Sequence, residues 1–301
     1  VRQTIDELAR LYAPSEGATL AFTFAGPARI TSQNSVHQVV LPRFALKYRL
    51  GEVQFGDLPL LMREQNDGRI AFQAEFPTSG SLHFAPFPEP GRISLREPKF
   101  SGSFDPRLFA FTALEFRAGG IELRAGPSQP EAVLKLGSFA IDHAAGATSP
   151  RSWTTQTNVS AARLDLGASR FTFGLAELTG AHRLVDIDLA SYGALAKATG
   201  IDPLAYFPQF GPAAGRAQRL AIVMDALLLG RLESSARAKG LAVALAEGFG
   251  LSLAALDLDS AFSGIERRRA ELSLRVKLDK LAVTPTAPSL APIVPHSASL
   301  D

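Results

Sequence analysis

The sequence predicts a mainly β protein, in which long antiparallel amphipathic strands form a curved open sheet or a sandwich. Two observations favour this fold class. Apolar and polar residues alternate through most of the chain, and turn pairs such as Asp67-Gly68 separate the alternating runs. Helix is expected only in a short N-terminal segment, residues 1–12, and in a few helices around 190–246.

The N-terminal segment has the period of an amphipathic helix. Val1, Ile5 and Leu8 recur at steps of three or four residues, with charged residues between them. Pro14 follows shortly afterwards and ends the pattern. Residues 1–12 are therefore predicted to form one helix with a single apolar side.

From residue 20 onwards the apolar period changes from 3.6 to two. Because successive side chains of a strand point to opposite faces, this alternation predicts sheets with one apolar and one wet face. The residues predicted to face inward are Phe44, Leu46, Tyr48, Phe72, Phe76, Leu272, Leu274 and Val276. Those predicted to face outward are Lys47, Arg49, Arg275 and Lys277. A charge at Leu274 is accordingly expected to be strongly destabilising.

Glycine and alanine content predicts the turns and the remaining helices. Asn66-Asp67-Gly68 and Gly119-Gly120 each lie between apolar runs and are predicted hairpins, because glycine accepts a positive φ at little cost. Residues 191–199 are rich in alanine and are predicted to be helical. Residues 232–246 are also predicted to be helical, because Leu232, Ala236, Leu241 and Leu245 share approximately one helix face.

The chain length of 301 residues allows one large β domain or two smaller ones. Residues 144–150 are small and contain glycine and proline, which favours a break there. We therefore predict a β-rich half at residues 1–146 and a second β-rich half with a helical insertion at 147–301, with a single domain as the alternative.

Composition excludes several classes of function. The absence of Cys excludes disulfides, thiolate metal sites and cysteine nucleophiles, and it fits a bacterial periplasm. The net charge is only +2, and the one dense basic run is Arg267-Arg268-Arg269, so no nucleic-acid partner is predicted. That run is interpreted as a solvated turn, or alternatively as a contact to an anionic lipid headgroup. The chain starts at Val1, and we expect that an N-terminal signal or membrane anchor has been removed.

No catalytic, cofactor or metal motif is recognisable. The five histidines are never three or four residues apart, which disfavours a helical metal pair, and they are interpreted as surface or turn residues. Asp257 and Asp259 place two carboxylates on one strand face, which fits either a wet face or a paired-carboxylate site. The chain is therefore predicted not to be an enzyme, to need no cofactor and to bind no metal.

The phenylalanines permit two interpretations. They form an ordinary sheet core, or they line an apolar groove that binds lipid chains. The candidate ligand-binding residues, chosen because each has bulky neighbours at two-residue spacing, are Phe22, Phe24, Phe44, Phe72, Phe171 and Phe173.

The succession of long amphipathic strands, with the strand at 272–283 leading through the proline-rich stretch 285–295 into residues 298–301, resembles the AsmA-like and related envelope proteins of proteobacteria. The resemblance implies an N-terminal anchor, a periplasmic location and a role in lipid handling or outer-membrane maintenance. It carries over no functional residue.

Together these observations predict a non-enzymatic protein of the periplasm or cell envelope of a Gram-negative bacterium that binds or shelters a lipid or another apolar envelope component. The first alternative is a structural or protein-interaction module of the envelope that binds no small ligand. The second is a hydrolase whose catalytic residues are dispersed along the chain.

Overall fold

The computed structural model describes residues 1–11, 20–48, 51–84, 89–126, 133–168, 171–199, 230–245, 248–263, 271–284 and 298–300. The prediction of a mainly β protein is confirmed: the chain forms a curled, open antiparallel sheet with a short N-terminal helix. The described part contains one sheet of nineteen strands. The helices are α1 (Arg2–Leu11) and α2 (Leu189–Thr199), which matches the helices predicted at residues 1–12 and 191–199.

The strands follow one another along the chain, and α2 lies between the fifteenth and the sixteenth. Their bounds are β1 (Leu20–Thr23), β2 (Arg29–Gln33), β3 (Val36–Leu41), β4 (Ala45–Tyr48), β5 (Gly51–Phe55), β6 (Leu58–Glu64), β7 (Ile70–Ala74), β8 (Ser79–Phe84), β9 (Gly91–Arg96), β10 (Lys99–Asp105), β11 (Ala110–Ala118), β12 (Gly120–Arg124), β13 (Val133–Ala147), β14 (Trp153–Ala168), β15 (Phe171–Ile187), β16 (Arg231–Leu245), β17 (Gly250–Ser263), β18 (Glu271–Thr284) and β19 (Ala298–Leu300).

The topology is an up-and-down meander in which the first twelve strands are halves of six longer, bent strands. For example, β9 and β10 are the two halves of one long strand. They pair with β12 and β11, which are the two halves of the next long strand. The halves separate at Arg43, at Gly56-Asp57, at Glu97 and at Gly119. Arg43 and Glu97 have positive φ angles of 46° and 49°, which turn the chain sharply between the two halves.

From β13 to β18 the strands are continuous, yet the same break runs across them. The pairing is interrupted in line at positions 137, 163, 176, 240, 254 and 280, which we call the crease. Arg163, Gly240 and Lys280 have positive φ angles of 54°, 63° and 52° on alternate strands of this line. Such irregularities bend a strand and increase its twist, so the aligned crease curls the whole sheet.

The bend gives the sheet an inner face and an outer face. We define the inner face of β13–β18 as the one that carries Ile141, Val159, Ala236, Leu258 and Val276. Together with Gly180 of β15, which lies between Val159 and Ala236, these residues are directly opposite one another on successive strands. The same row extends back through Phe116, Phe100, Ala74, Leu60 and Val39 to Ile30 on β2. One apolar row therefore crosses the sheet from β2 to β18.

The N-terminal end of the inner face is a packed core. Phenylalanine rings contact each other from Phe44 through Phe55, Phe76 and Phe116 to Phe139, with centroid distances of 6.3, 5.1, 5.6 and 6.1 Å. Pairs at these separations stabilise a core beyond the area they bury. Ile5 of α1 is buried in the same core, which explains why the apolar residues of the first segment have helical spacing.

Helix α2 covers the inner face further along the sheet. Its Leu189 and Tyr192 are buried with Leu184 and Ile187 of β15, and Trp153 packs against this cluster. Asp188 caps the helix, because its carboxylate accepts hydrogen bonds from the Ser191 amide at 3.1 Å and from the Ser191 hydroxyl at 2.7 Å. Helices α1 and α2 contact each other.

Two local predictions are wrong. Residues 232–245 form β16, which pairs with β15 and β17, whereas a helix was predicted at 232–246. Gly119-Gly120 is not a hairpin, since β11 and β12 both pair with β13 and continue in one direction. The hairpin at Asn66-Asp67-Gly68 is confirmed by the pairing of β6 with β7, and Gly68 has a φ of 83°.

The core prediction is correct at one end of the sheet and wrong at the other. Phe44 and Phe72 are 6% and 9% exposed, and Leu46 and Phe76 pack against the same core. Leu272, Leu274 and Val276 do lie on the inner face but are 73%, 63% and 42% exposed, since the short β19 pairs with β18 only at Leu278 and Leu281 and leaves the start of β18 at the edge of the described sheet. The side chains of Tyr48 and Arg49 lie outside the described residues.

The division into halves at 146/147 stays a prediction. Residues 144–147 are the end of β13, and the turn that follows leads directly into β14. The Ser152 carbonyl closes this turn by accepting hydrogen bonds from the Thr148 and Ser149 amides at 2.8 and 3.1 Å.

Candidate functional site

The inner face of β13–β18 carries no ionisable carboxylate, ammonium or guanidinium group at its alternating positions. Every Asp, Glu, Lys and Arg of these strands lies at an outer-face position or on the crease, except Asp186, which lies in the bulge between Leu184 and Ile187 at the end of β15. A second apolar row crosses the sheet on the other side of the crease. It contains Leu134, Leu166, Phe173, Val243, Leu251 and Val283. The inner face therefore carries an apolar row on each side of the crease.

This apolar surface becomes more exposed towards β18. Val39 and Ala74 in the β2–β18 row are buried, Ile141 and Val159 are half-buried, and Val276 is exposed. Phenylalanine rings fill the bend as far as Phe139, whereas β14 and β16 have Ala161 and Ala238 at the matching positions. Ala161 itself is buried, but Ile141, Val159, Ala236 and Leu258 are half-buried, so solvent reaches the apolar face from β13 onwards within the part of the chain that the structure describes.

One row of the inner face differs from its neighbours because it is polar on five successive strands. This polar row consists of His143, Thr157, His182, Ser234 and Ser260. The rows on both sides of it are apolar apart from the buried Thr155 of β14. Leu274 of β18 ends the row. Adjacent strands lie about 4.8 Å apart, so the polar row spans about 19 Å.

Hydrogen bonds join members of the polar row. His143 Nε2 lies 3.3 Å from the Phe111 carbonyl oxygen, which can only accept, so Nε2 carries the proton. Its Nδ1 then accepts from the Thr157 hydroxyl at 2.8 Å. His182 Nδ1 lies 2.7 Å from the Ser234 hydroxyl oxygen. The two histidines are thus held by cross-strand partners, and the interpretation of both as surface or turn residues is wrong.

Burial lowers the pKa of both His143 and His182 below the ordinary value of 6.5, because removal from water disfavours the charged ring. For His143 the hydrogen bond to Phe111 opposes this effect only in part. Both rings are therefore neutral at pH 7.

A pH dependence of stability follows from these two pKa values. The unfolded chain binds protons at pH values where the folded rings remain neutral, so stability should fall as the pH drops below about 6.5. We expect the urea midpoint of the wild type to fall more between pH 7.5 and pH 5.5 than that of the His143→Gln/His182→Gln variant. Equal decreases would show that these histidines do not contribute to the pH dependence.

The six candidate phenylalanines separate into two groups. Phe44 and Phe72 are buried in the N-terminal core, and Phe22 and Phe24 pack against it. Phe171 and Phe173 are half-buried on the inner face of β15, opposite Leu245 and Val243 of β16. The structure therefore places Phe171 and Phe173 on the solvent-accessible part of the inner face and the other four at its packed end.

The outer face is polar and several of its charges are paired. Arg237 lies 3.7 Å from Asp257, Lys239 lies 3.0 Å from Glu177, and Arg183 lies 3.5 Å from Glu233. A shallow polar depression on this face is lined by residues that include Arg275 and Asp259. Asp257 and Asp259 both belong to this wet face, which agrees with the simpler of the two interpretations given for them.

Within the described ranges, no group of three or more His, Asp or Glu residues is placed to hold a metal ion. His182 and Ser234 form an imidazole–hydroxyl pair, but a nucleophile pair also needs a third group that orients the base. Among the described residues no carboxylate is hydrogen bonded to His182. No helix in the described part of the chain is both long and apolar enough to span a membrane.

Sequence reasoning missed the polar row. The hydrogen-bonded residues His143 and Thr157 are 14 positions apart in the sequence, and His182 and Ser234 are 52 positions apart, so no local spacing pattern identifies them. Only the strand register brings them together. The basic run at 267–269 and the proline-rich stretch at 285–295 lie outside the described residues.

Comparison with family models, curated proteins and solved structures found no match for this chain.

Proposed function

We propose that this protein binds the hydrocarbon chain of a lipid on the inner face of β13–β18 and shelters it from water, without catalysing a reaction. The observation that carries the proposal is the uncharged inner face, whose apolar rows stay accessible from β13 to β18. Exposed contiguous apolar surface on a protein generally marks a binding site. The absence of Cys and the resemblance to AsmA-like proteins favour the periplasm or envelope of a Gram-negative bacterium as its location.

The energetics are sufficient for binding. Each methylene moved from water to an apolar surface stabilises the complex by about 0.8 kcal/mol. A chain of about twelve methylenes thus gains roughly 10 kcal/mol, which is comparable with the cost of association, about 4–15 kcal/mol. A single alkyl chain therefore supports binding that is weak to moderate.

The binding test uses N-phenyl-1-naphthylamine, a neutral apolar dye that fluoresces in apolar surroundings, and dodecanoic acid as the competitor. Phe44→Asp is unsuitable, because Phe44 is 6% exposed in the core and its replacement would unfold the protein. Val276→Asp is preferable, since Val276 is 42% exposed on the inner face. We expect the wild type to bind the dye saturably and the acid to displace it, and Val276→Asp to weaken both at least about tenfold.

The matched control is Ser273→Asp, which adds the same charge to the exposed outer face of the same strand. It should bind like the wild type. No saturable binding by the wild type, or equal weakening by both variants, would contradict the proposal.

A protein-interaction module is the second candidate, and the edge of β18 favours it. All residues from Glu271 to Lys277 are exposed, and β19 pairs with β18 only at Leu278 and Leu281. An exposed strand edge is a site where a partner strand can add to a sheet. A wild-type protein that binds no dye or acid but associates with an envelope partner through β18 would favour this function.

A further inference from the structure

The polar row is unusual because hydroxyl and imidazole groups occupy an otherwise apolar surface. Moving such a group away from water is unfavourable unless a hydrogen bond compensates. The flanking rows show that this sheet accommodates leucine, valine and alanine at the adjacent inner positions of the same strands. Packing alone therefore does not explain five successive polar residues.

The hydrogen bonds within the polar row use only some of the hydrogen-bond donors and acceptors that its side chains carry. Both ring nitrogens of His143 have partners, and so does the Thr157 hydroxyl. Ser234 is bonded to Nδ1 of His182. Among the described residues this leaves His182 Nε2 and the Ser260 hydroxyl without a protein partner. Both side chains are half-buried, so a ligand on the inner face can reach them.

We infer that His182 and Ser260 bind the oxygen-bearing head of a single-chain amphiphile, a terminal carboxyl or hydroxyl group, while its chain lies on the adjacent apolar rows. This inference rests on the proposed function. It specifies the class of ligand further, because an apolar face alone would bind a hydrocarbon and an amphiphile equally well. His182 and Ser260 lie on either side of Ser234, on β15 and β17.

The chemistry of the two groups defines the head. When the Ser234 hydroxyl donates to Nδ1, the neutral His182 ring carries its proton on Nε2 and donates it to the ligand. The Ser260 hydroxyl both donates and accepts. No Lys or Arg lies at an inner-face position of β13–β18, so a multiply charged phosphate would lack a counter-charge there. A carboxyl or hydroxyl group matches two neutral hydrogen-bonding partners.

The test compares the neutral dye N-phenyl-1-naphthylamine with dodecanoic acid and dodecan-1-ol on folded variants. His182→Leu and Ser260→Ala each remove one proposed hydrogen bond and should weaken the acid and the alcohol about three- to tenfold. The dye's own affinity should stay unchanged. His182→Gln and Ser260→Thr retain a donor near the original position and should restore most of the binding. Ser235→Ala, on the outer face beside Ser234, is the matched control and should have no effect.

The outcomes separate this inference from the proposed function. If the wild type binds neither dye nor acid, both are overturned. If it binds both and the His182→Leu and Ser260→Ala variants bind the acid equally well, only the inference fails. Loss of dye and acid together in a variant would indicate altered packing of the inner face and would also overturn the inference.

Trp153, the only tryptophan of the chain, gives an independent measure of ligand orientation. It lies on the inner face of β14, four residues before Thr157 of the polar row. A bromine atom quenches tryptophan fluorescence at short range. With the head at the polar row and the chain on the row that contains Val159 and Leu258, on the side of the polar row away from Trp153, 2-bromododecanoic acid should quench Trp153 more than 12-bromododecanoic acid does. Equal quenching, or the reverse order, would contradict the inferred position of the head.

Discussion

Replacing Leu184 with aspartate is expected to unfold much of the protein, whereas the same change at Leu272 is expected to leave its stability almost unchanged. Both leucines belong to one row of the inner face, which runs from Leu184 through Leu232 and Phe262 to Leu272. Leu184 is 3% exposed beneath α2, and Leu272 is 73% exposed. A buried carboxylate without a partner should cost about 4 kcal/mol or more, and the exposed one less than about 0.5 kcal/mol.

Urea unfolding followed by circular dichroism measures both free energies. The comparison is well matched, because residue type, face and row are the same and only the solvent exposure differs. A large loss of stability for Leu272→Asp would show that the inner face at β18 is covered in solution. A small loss for Leu184→Asp would show that α2 does not pack on β15 as described.

Replacing Gly193 with alanine is expected to displace α2 from the sheet. The helix approaches the β10–β11 connection so closely that a Cβ on Gly193 would overlap the Leu108 carbonyl oxygen. In an isolated helix this substitution would be favourable by about 1 kcal/mol. Here the overlap involves backbone atoms that cannot rotate away, so we expect a net loss of about 1–3 kcal/mol.

Trp153 also reports this change, because it packs against the cluster that contains Leu189 and Tyr192 of α2. Its fluorescence should shift to longer wavelength in Gly193→Ala as the indole becomes hydrated. Gly146→Ala is the control, since an added Cβ there meets nothing within 4 Å. A Gly193→Ala variant as stable as the wild type, with unchanged fluorescence, would contradict the close packing of α2.

The period-two alternation was sufficient to predict the class of fold, because a sheet with one buried face requires apolar residues at alternate positions of each strand. It also predicted which face of β18 points inward, as Leu274 and Val276 show. It could not predict their exposure. How deeply an inner-face residue is buried depends on its position along the meander and on what covers it, which is a property of the assembled sheet.

The two local errors have physical causes. β16 contains Ala236, Ala238, Ala242 and Ala244, whose helix propensity is overridden by pairing with strands on both sides. Gly119 lies where a long strand divides in two instead of reversing its direction. Glycine gives the same signal for a turn and for a break within a strand, so the sequence alone does not separate the two.

The candidate site was only partly predictable. Phe171 and Phe173 were recognised because alternation places them on an apolar face. The polar row was not, because His182 and Ser260 share no spacing, motif or segment, and only the register of three consecutive strands aligns them. A cross-strand site of this kind becomes visible once each strand has been assigned its neighbour and its pairing register.

Because of the crease, the length of the inner face can change independently of the shape of its cross-section. Since every strand from β13 to β18 bends at an aligned position, the profile of the bend repeats from one strand to the next. Inserting one hairpin would lengthen the inner face by two strand spacings, about 10 Å, and leave the profile unchanged. Evolution can therefore adjust the length of chain that such a sheet accommodates by duplicating hairpins, without redesigning the surface that contacts it.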